Sequence, residues 1–146
     1  MASKKILVIH GPNLNMLGKR EPRIYGTTSF NDINKNLLNL GKKLGIVVDT
    51  FQSNHEGAIV DKIQEASQKY EGLIINSGAY THTSIAIRDA ILLIKAPVIE
   101  VHLSNIYKRE PFRQKSMIAE VATATLCGFG HDGYYMALEA LARMLK

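Results

Sequence analysis

Three observations in this sequence predict an α/β fold of three layers, a doubly wound parallel sheet held between helices. Apolar runs of four to seven residues alternate with longer segments of helical period, the pattern of repeated strand–helix–strand units. The runs themselves, such as Leu73-Ile74-Ile75 and Val98-Ile99, are nearly unbroken, as strands covered on both faces must be. Polar stretches without period follow the first, third and fourth runs, so the chemistry collects at one end of the strands.

The expected strands are 5–9, 46–51, 72–76, 97–101 and 122–127, and the expected helices about 29–44, 58–69, 83–94 and 131–145. Ser29-Phe30-Asn31-Asp32 resembles a capping box with Asp in place of the usual Glu, and Gly45 stands where a helix C-terminal cap belongs. In the first helix Ile33, Leu37, Leu40 and Leu44 recur at spacings of three and four, giving one stripe to bury. Met136, Leu138, Leu141, Met144 and Leu145 do the same in the last. Five strands in a chain of this length suggest the flavodoxin-like order 2-1-3-4-5, with residues 1–146 as one domain. Ligands of such sheets bind beyond the carboxyl ends of the strands where the order reverses, here between the first and third.

Composition narrows the partners. At 46% hydrophobic and 21% charged, the chain has material for an ordinary core. No run of about 18 apolar residues marks a membrane span, and the first residues lead into a strand without the features of a signal peptide. Cys127 is the only cysteine, which rules out an internal disulfide and a cysteine-based metal site; a cytoplasmic setting is the expectation. The net charge of +5 forms no continuous basic tract interleaved with aromatics, so it suits a small anionic substrate better than nucleic acid.

The first polar stretch, 10–28, is long for a connection in a small domain, and such loops are usually functional or disordered. It carries Leu14, Met16, Leu17, Ile24 and Tyr25, which argues for an ordered lid. Tyr25 follows Arg20 and Arg23, and a nearby cation favours a phenolate, which can take a proton from carbon next to a carbonyl. Two readings of Tyr25 stand on spacing alone, that base and a packed hydrophobe, and either arginine could serve it.

The second stretch is N-S-G-A-Y-T-H-T-S. Asn76 can donate and accept, Gly78 permits close approach of backbone, and hydroxyls and amides from Thr81 to Ser84 stand where a helix begins. One of Thr81 and Thr83 is expected to be a plain cap, and His82 a ligand group. The third stretch, from E-V-H-L-S-N to R-E-P-F-R, sets Glu100 and His102 two apart on a strand and so on one face, where a carboxylate can orient and charge an imidazole acid. Leu103 and Ser104 offer backbone amides to a carboxylate. Arg109 and Arg113, four apart, suit one helical face and an anion, or for Arg109 an internal salt bridge. Arg88 and Asp89 read as a solvated pair; His10 closes its strand, and His55 and His131 are weakly placed. Neither His82 nor His102 has a metal-binding spacing, and there is no G-x-S-x-G, P-loop or G-x-G-x-x-G.

Taken together, G-P-N-L-N-M-L-G-K-R-E-P-R-I-Y-G, N-S-G-A-Y-T-H-T-S with I-R-D-A after it, and E-V-H-L-S-N with R-E-P-F-R resemble type II 3-dehydroquinate dehydratase, in register through essentially the whole chain. That resemblance implies a flavodoxin-like dodecamer of four trimers. It implies anti elimination of water from 3-dehydroquinate to give 3-dehydroshikimate in the shikimate pathway, without metal or cofactor. It also implies roles. Tyr25 removes the C2 proton by way of an enolate, Arg20 keeps Tyr25 ionised, and Asn13 positions a water at the developing oxyanion. His102, oriented by Glu100, protonates the departing hydroxyl. Asn76, His82, Arg113 and the amides of Leu103 and Ser104 hold the substrate, and Asp89 reaches the site from a neighbouring subunit. His10 stands where many members have Asn and Met16 where many have Leu, neither at a catalytic position. The competing reading is a flavodoxin-like module that binds a small ligand or nucleotide without catalysis. No phosphate-cradling glycine turn follows the first strand, and that reading gives no purpose to His102 beside Glu100.

Overall fold

Five strands lie parallel in one sheet: β1 (Lys4–His10), β2 (Ile46–Gln52), β3 (Gly72–Asn76), β4 (Val98–His102) and β5 (Ala124–Cys127), in the order β2-β1-β3-β4-β5. The order matches expectation, and the computed structural model describes residues 3–19 and 21–146. Arg20, singled out above, lies outside them. Among the described residues five α-helical segments accompany the strands: α1 (Pro22–Tyr25), α2 (Phe30–Leu44), α3 (Glu56–Lys69), α4 (Ile85–Ile91) and α5 (Asp132–Met144). None of the described helices is long and apolar enough to cross a membrane.

The alternation of β1 divides the core. Ile6 and Val8, with Ile74, Ile99 and Val101, meet α2 and α5 through Ile33, Leu37, Tyr134, Leu138 and Leu141. Leu7 and Ile9, with Leu73, Ile75 and Val98, meet α3 and α4 through Ile59, Ile63, Ile87 and Ile91. Both faces of the central strands are thus buried, the reason their sequences run apolar without a break. Glu100 and His102 fall on the α3–α4 side of β4, Glu100 between Ile75 of β3 and Thr125 of β5, and His102 opposite Cys127 of β5.

Local chemistry sets most boundaries. Ser29 Oγ accepts the Asp32 amide at 3.1 Å, and Gly45 closes α2 with φ 72°, a left-handed angle that glycine takes without strain. Several expectations shift. The stripe of α2 ends at Gly41, which lies against Val48, while Leu44 is exposed. On α5 the buried face is Tyr134, Ala137, Leu138 and Leu141, with Met136 and Met144 turned to solvent. Helix α4 is shorter than 83–94. Residues Gly78–His82 wind instead into a 3-10 turn, and Ser84 rather than Thr81 or Thr83 caps α4 by accepting from Ile87 N at 2.9 Å. Thr81 is buried and hydrogen-bonded to the Ser77 hydroxyl. Nor is the first long connection without structure: it holds a 3-10 turn at Leu14–Met16 and then α1, and buried Leu14 and Leu17 pin its first part to the core.

Candidate active site

The loops after β1 and β3 are locked together by a missing side chain. A Cβ on Gly11 would stand 2.5 Å from the carbonyl carbon and oxygen of Ser77, and the Gly11 amide donates to the Asn76 carbonyl at 2.7 Å. Gly78, at φ 58°, packs in turn against Pro12. That clasp sets Asn13 beside Asn76. Asn13 adopts a left-handed φ of 68°, an angle asparagine tolerates, and its amide donates to Asn54 Oδ1 at 3.0 Å. Gln52 Nε2 donates to Gly11 O, Asn15 Oδ1 and Asn54 Oδ1, tying the turn to the end of β2.

A cavity of about 130 Å³ opens at the carboxyl ends of β1, β3 and β4, the switch point of the sheet. Its walls include Asn13 and Tyr25 from the first loop, Asn76 and His82 from the second, and His102, Leu103, Ser104, Arg109 and Arg113 from the third. A wider open groove of about 900 Å³ adjoins it, sharing Tyr25, Leu103, Ser104 and Arg109; Arg23 lines this groove rather than the cavity.

Behind the cavity His102 Nε2–H donates to Glu100 Oε2 at 2.5 Å, and Ser116 Oγ–H donates to the same oxygen at 2.7 Å. Ser116 Oγ accepts in turn from the amides of Ile118 (3.3 Å) and Ala119 (3.1 Å), so this hydroxyl is aimed. Glu100 is buried and its Oε1 has no hydrogen-bond partner among the described residues. With Nε2 turned back to Glu100, Nδ1 is the nitrogen left to exchange a proton with a ligand.

His82 lies beside His102, ring centroids 6.4 Å apart, and its Nδ1–H donates to the Lys115 carbonyl at 2.8 Å. Burial pushes the His82 imidazole below its usual range, the Lys115 carbonyl pulls the other way, and His102, Arg113 and Arg109 add repulsion. His82 is therefore neutral with a lone pair on Nε2, an acceptor for a hydroxyl. Arg113 Nε pairs with Glu110 at 3.3 Å and lines the same wall. Arg109 and Arg113 end two separate 3-10 turns, Ile106–Lys108 and Pro111–Arg113, not one helix as the spacing suggested.

Arg109 does more than spacing showed. Its Nη1 donates to Tyr25 Oη at 3.1 Å and to Ser104 Oγ at 3.3 Å, while its Nε stands 3.6 Å from Glu110. The salt-bridge reading catches the Glu110 contact but does not reach the tyrosine, which is 84 residues away in sequence. Ser116 was also missed. A serine followed by M-I-A carries no signal beyond a local turn. Arg88 does not pair with Asp89; it reaches the Met117 carbonyl at 2.8 Å and Glu120 at 3.3 Å. Asp89 is exposed on α4 and does not line its own chain's cavity. His10, read only as a strand end, is fully buried, with Nδ1 2.9 Å from Tyr134 Oη and Nε2 2.9 Å from Asn34 Oδ1. Burial lowers it to about 4, against the opposing effect of Asn34. Among the described residues no group of three or more His, Cys, Asp or Glu could hold a metal ion.

Comparison with known proteins points to one family. A family model described as dehydroquinase class II matches residues 4–142. A 3-dehydroquinate dehydratase of Geotalea daltonii is 56% identical over 142 residues, covering 97% of this chain and 99% of that protein. Another, from a Nostoc strain, is 53% identical over 146 residues, 100% of this chain and 99% of that one. The crystal structure of a type II dehydroquinase from Butyrivibrio crossotus superposes with a TM-score of 0.95 at 47% identity, over 97% of this chain and 99% of that one. In sequence, in sheet order and in the loops that meet at the switch point, the chain belongs to the class II dehydroquinase family.

Proposed function

We propose that this chain, as a single catalytic domain, removes water from 3-dehydroquinate to give 3-dehydroshikimate by anti elimination, the step it would serve in the shikimate pathway. The observation that carries the reading is one cavity holding both a tyrosine with an arginine N–H on its oxygen and a histidine backed by a buried carboxylate. Tyr25 Oη takes the C2 proton. The N–H donated by Arg109 stabilises negative charge on that oxygen, and Arg20, outside the described residues, is assigned the same work by family resemblance. The electron pair left on carbon moves toward the carbonyl as an enolate, which a water held by Asn13 stabilises. As it returns, the C–O bond breaks and His102 gives its proton to the departing hydroxyl, so one water leaves and the histidine is left neutral.

Asn76, the neutral His82, Arg113 and the amides of Leu103 and Ser104 hold the substrate's hydroxyls and carboxylate. Asp89, carried on exposed α4 beside exposed Ile85, Leu92 and Leu93, completes the site of a neighbouring subunit in a dodecamer of trimers with the cytoplasm as its setting. The test is direct. Purified protein is mixed with 3-dehydroquinate and the absorbance of the conjugated enone product is followed. Failure to form the enone sinks the proposal. A monomer in sedimentation that retains full turnover sinks the shared role of Asp89.

A further inference from the structure

One backbone amide at the cavity wall sets the direction of a run of hydrogen bonds, buried at its centre, that leads to α2. Gly78 N–H is a donor without alternative, and it points at Asn76 Oδ1, 3.1 Å away. The other edge of that amide is therefore nitrogen, and Asn76 Nδ2–H donates to Tyr134 Oη at 3.1 Å. Tyr134 is fully buried, and burial raises its phenol well above the usual range, so the hydroxyl keeps its proton. Having accepted from Asn76, it gives that proton to His10 Nδ1 at 2.9 Å, which must present a lone pair. His10 then carries its own proton on Nε2 and donates it to Asn34 Oδ1 on α2, 2.9 Å away. Every link is determined once the first is.

We infer that His10 and Tyr134 are positioning residues, which hold the Asn76 amide in one orientation so that its second Nδ2 hydrogen serves a ligand oxygen. The ligand group met there is an acceptor, a hydroxyl or carboxylate oxygen. His10 passes the relay on to Asn34 Oδ1, its terminal acceptor, and takes no part in proton transfer; its edge-on packing with Phe30, centroids 4.8 Å apart, holds the ring in place. The inference rests on the proposed role of Asn76 in holding substrate.

Two measurements test it. The first needs no substrate: nitrogen-15 resonances of labelled histidine in the wild-type protein at pH 7, with His10→Asn used for assignment. They are expected to show His10 neutral, protonated on Nε2 and bare on Nδ1. A charged His10, or one protonated on Nδ1, overturns the relay. The second is a double-mutant cycle on 3-dehydroquinate turnover with Tyr134→Phe and Asn76→Ala. Loss of one buried hydrogen bond predicts that Tyr134→Phe raises KM roughly three- to tenfold. In the Asn76→Ala background the same change is expected to add less than about twofold. Equal effects in both backgrounds overturn positioning through Asn76 and leave a general packing role. If wild-type protein does not turn over 3-dehydroquinate, the functional reading fails, and the histidine resonances still decide the relay.

Discussion

A buried neutral histidine should make this protein sensitive to acid, by an amount the structure sets. His10 lies near 4 in the folded chain against an ordinary 6.5. The unfolded chain therefore takes a proton first, and stability is lost as the pH falls from about 6.5 toward 4, with nothing further lost below that. The gap corresponds to about 3 kcal/mol in all, and to about 2 kcal/mol between pH 8 and pH 5. Other groups also titrate in this range, so the quantity to measure is a difference. Urea unfolding of wild type and of His10→Asn, at one protein concentration and at several pH values from 8 to 5, gives two stability curves. The variant loses packing at every pH, a constant offset. Its curve should nevertheless fall less steeply, the two drawing together by about 2 kcal/mol at pH 5. Parallel curves across that range would refute the argument that His10 is held neutral by burial.

Three further outcomes follow from the site. Tyr25→Phe should lower kcat by between about a hundred- and ten-thousandfold while KM moves little, in initial-rate assays; wild-type turnover removes Tyr25 as the base. Ser116→Ala takes one donor from the buried Glu100 carboxylate and should cost about 1.5–3 kcal/mol in urea unfolding, since the acceptor is charged; no loss means that water replaces the hydroxyl. Gly11→Ala sets a methyl group 2.5 Å from the Ser77 backbone, which must move. A stability loss of about 1–3 kcal/mol together with weakened substrate binding is expected, and wild-type behaviour in both would show that the clasp is looser than described.

The strands, the three loops and the Glu100–His102 pair were legible in sequence because each rests on local period or on near neighbours, and the strand order followed from the number of strands in a chain of this length. A strand shows its two faces every second residue, and two residues on one face are bound to meet. What stayed hidden depends on partners far along the chain. Nothing near Arg109 says that it reaches Tyr25, and Ser116 is silent until β4 is set beside it. The histidine of the relay was passed over for the same reason, since its partners come from α2 and α5. The stripes of α2 and α5 were misjudged at Leu44, Met136 and Met144, because a helical period alone does not say which positions at the margin of the apolar face are covered.

The clasp between Gly11 and Ser77 also divides the site into two halves. Asn13, Asn76, Glu100 and His102 stand on strand ends and on turns riveted to one another. Tyr25 stands apart, on a short helical turn whose neighbours Arg23, Ile24, Gly26 and Thr27 face solvent, and Arg109 bridges it to the β4 loop. Asn13, Asn76, Glu100 and His102 thus make one half of the cavity, and Tyr25 belongs to the other, joined to it through Arg109. Arg109 is the stitch between the two halves.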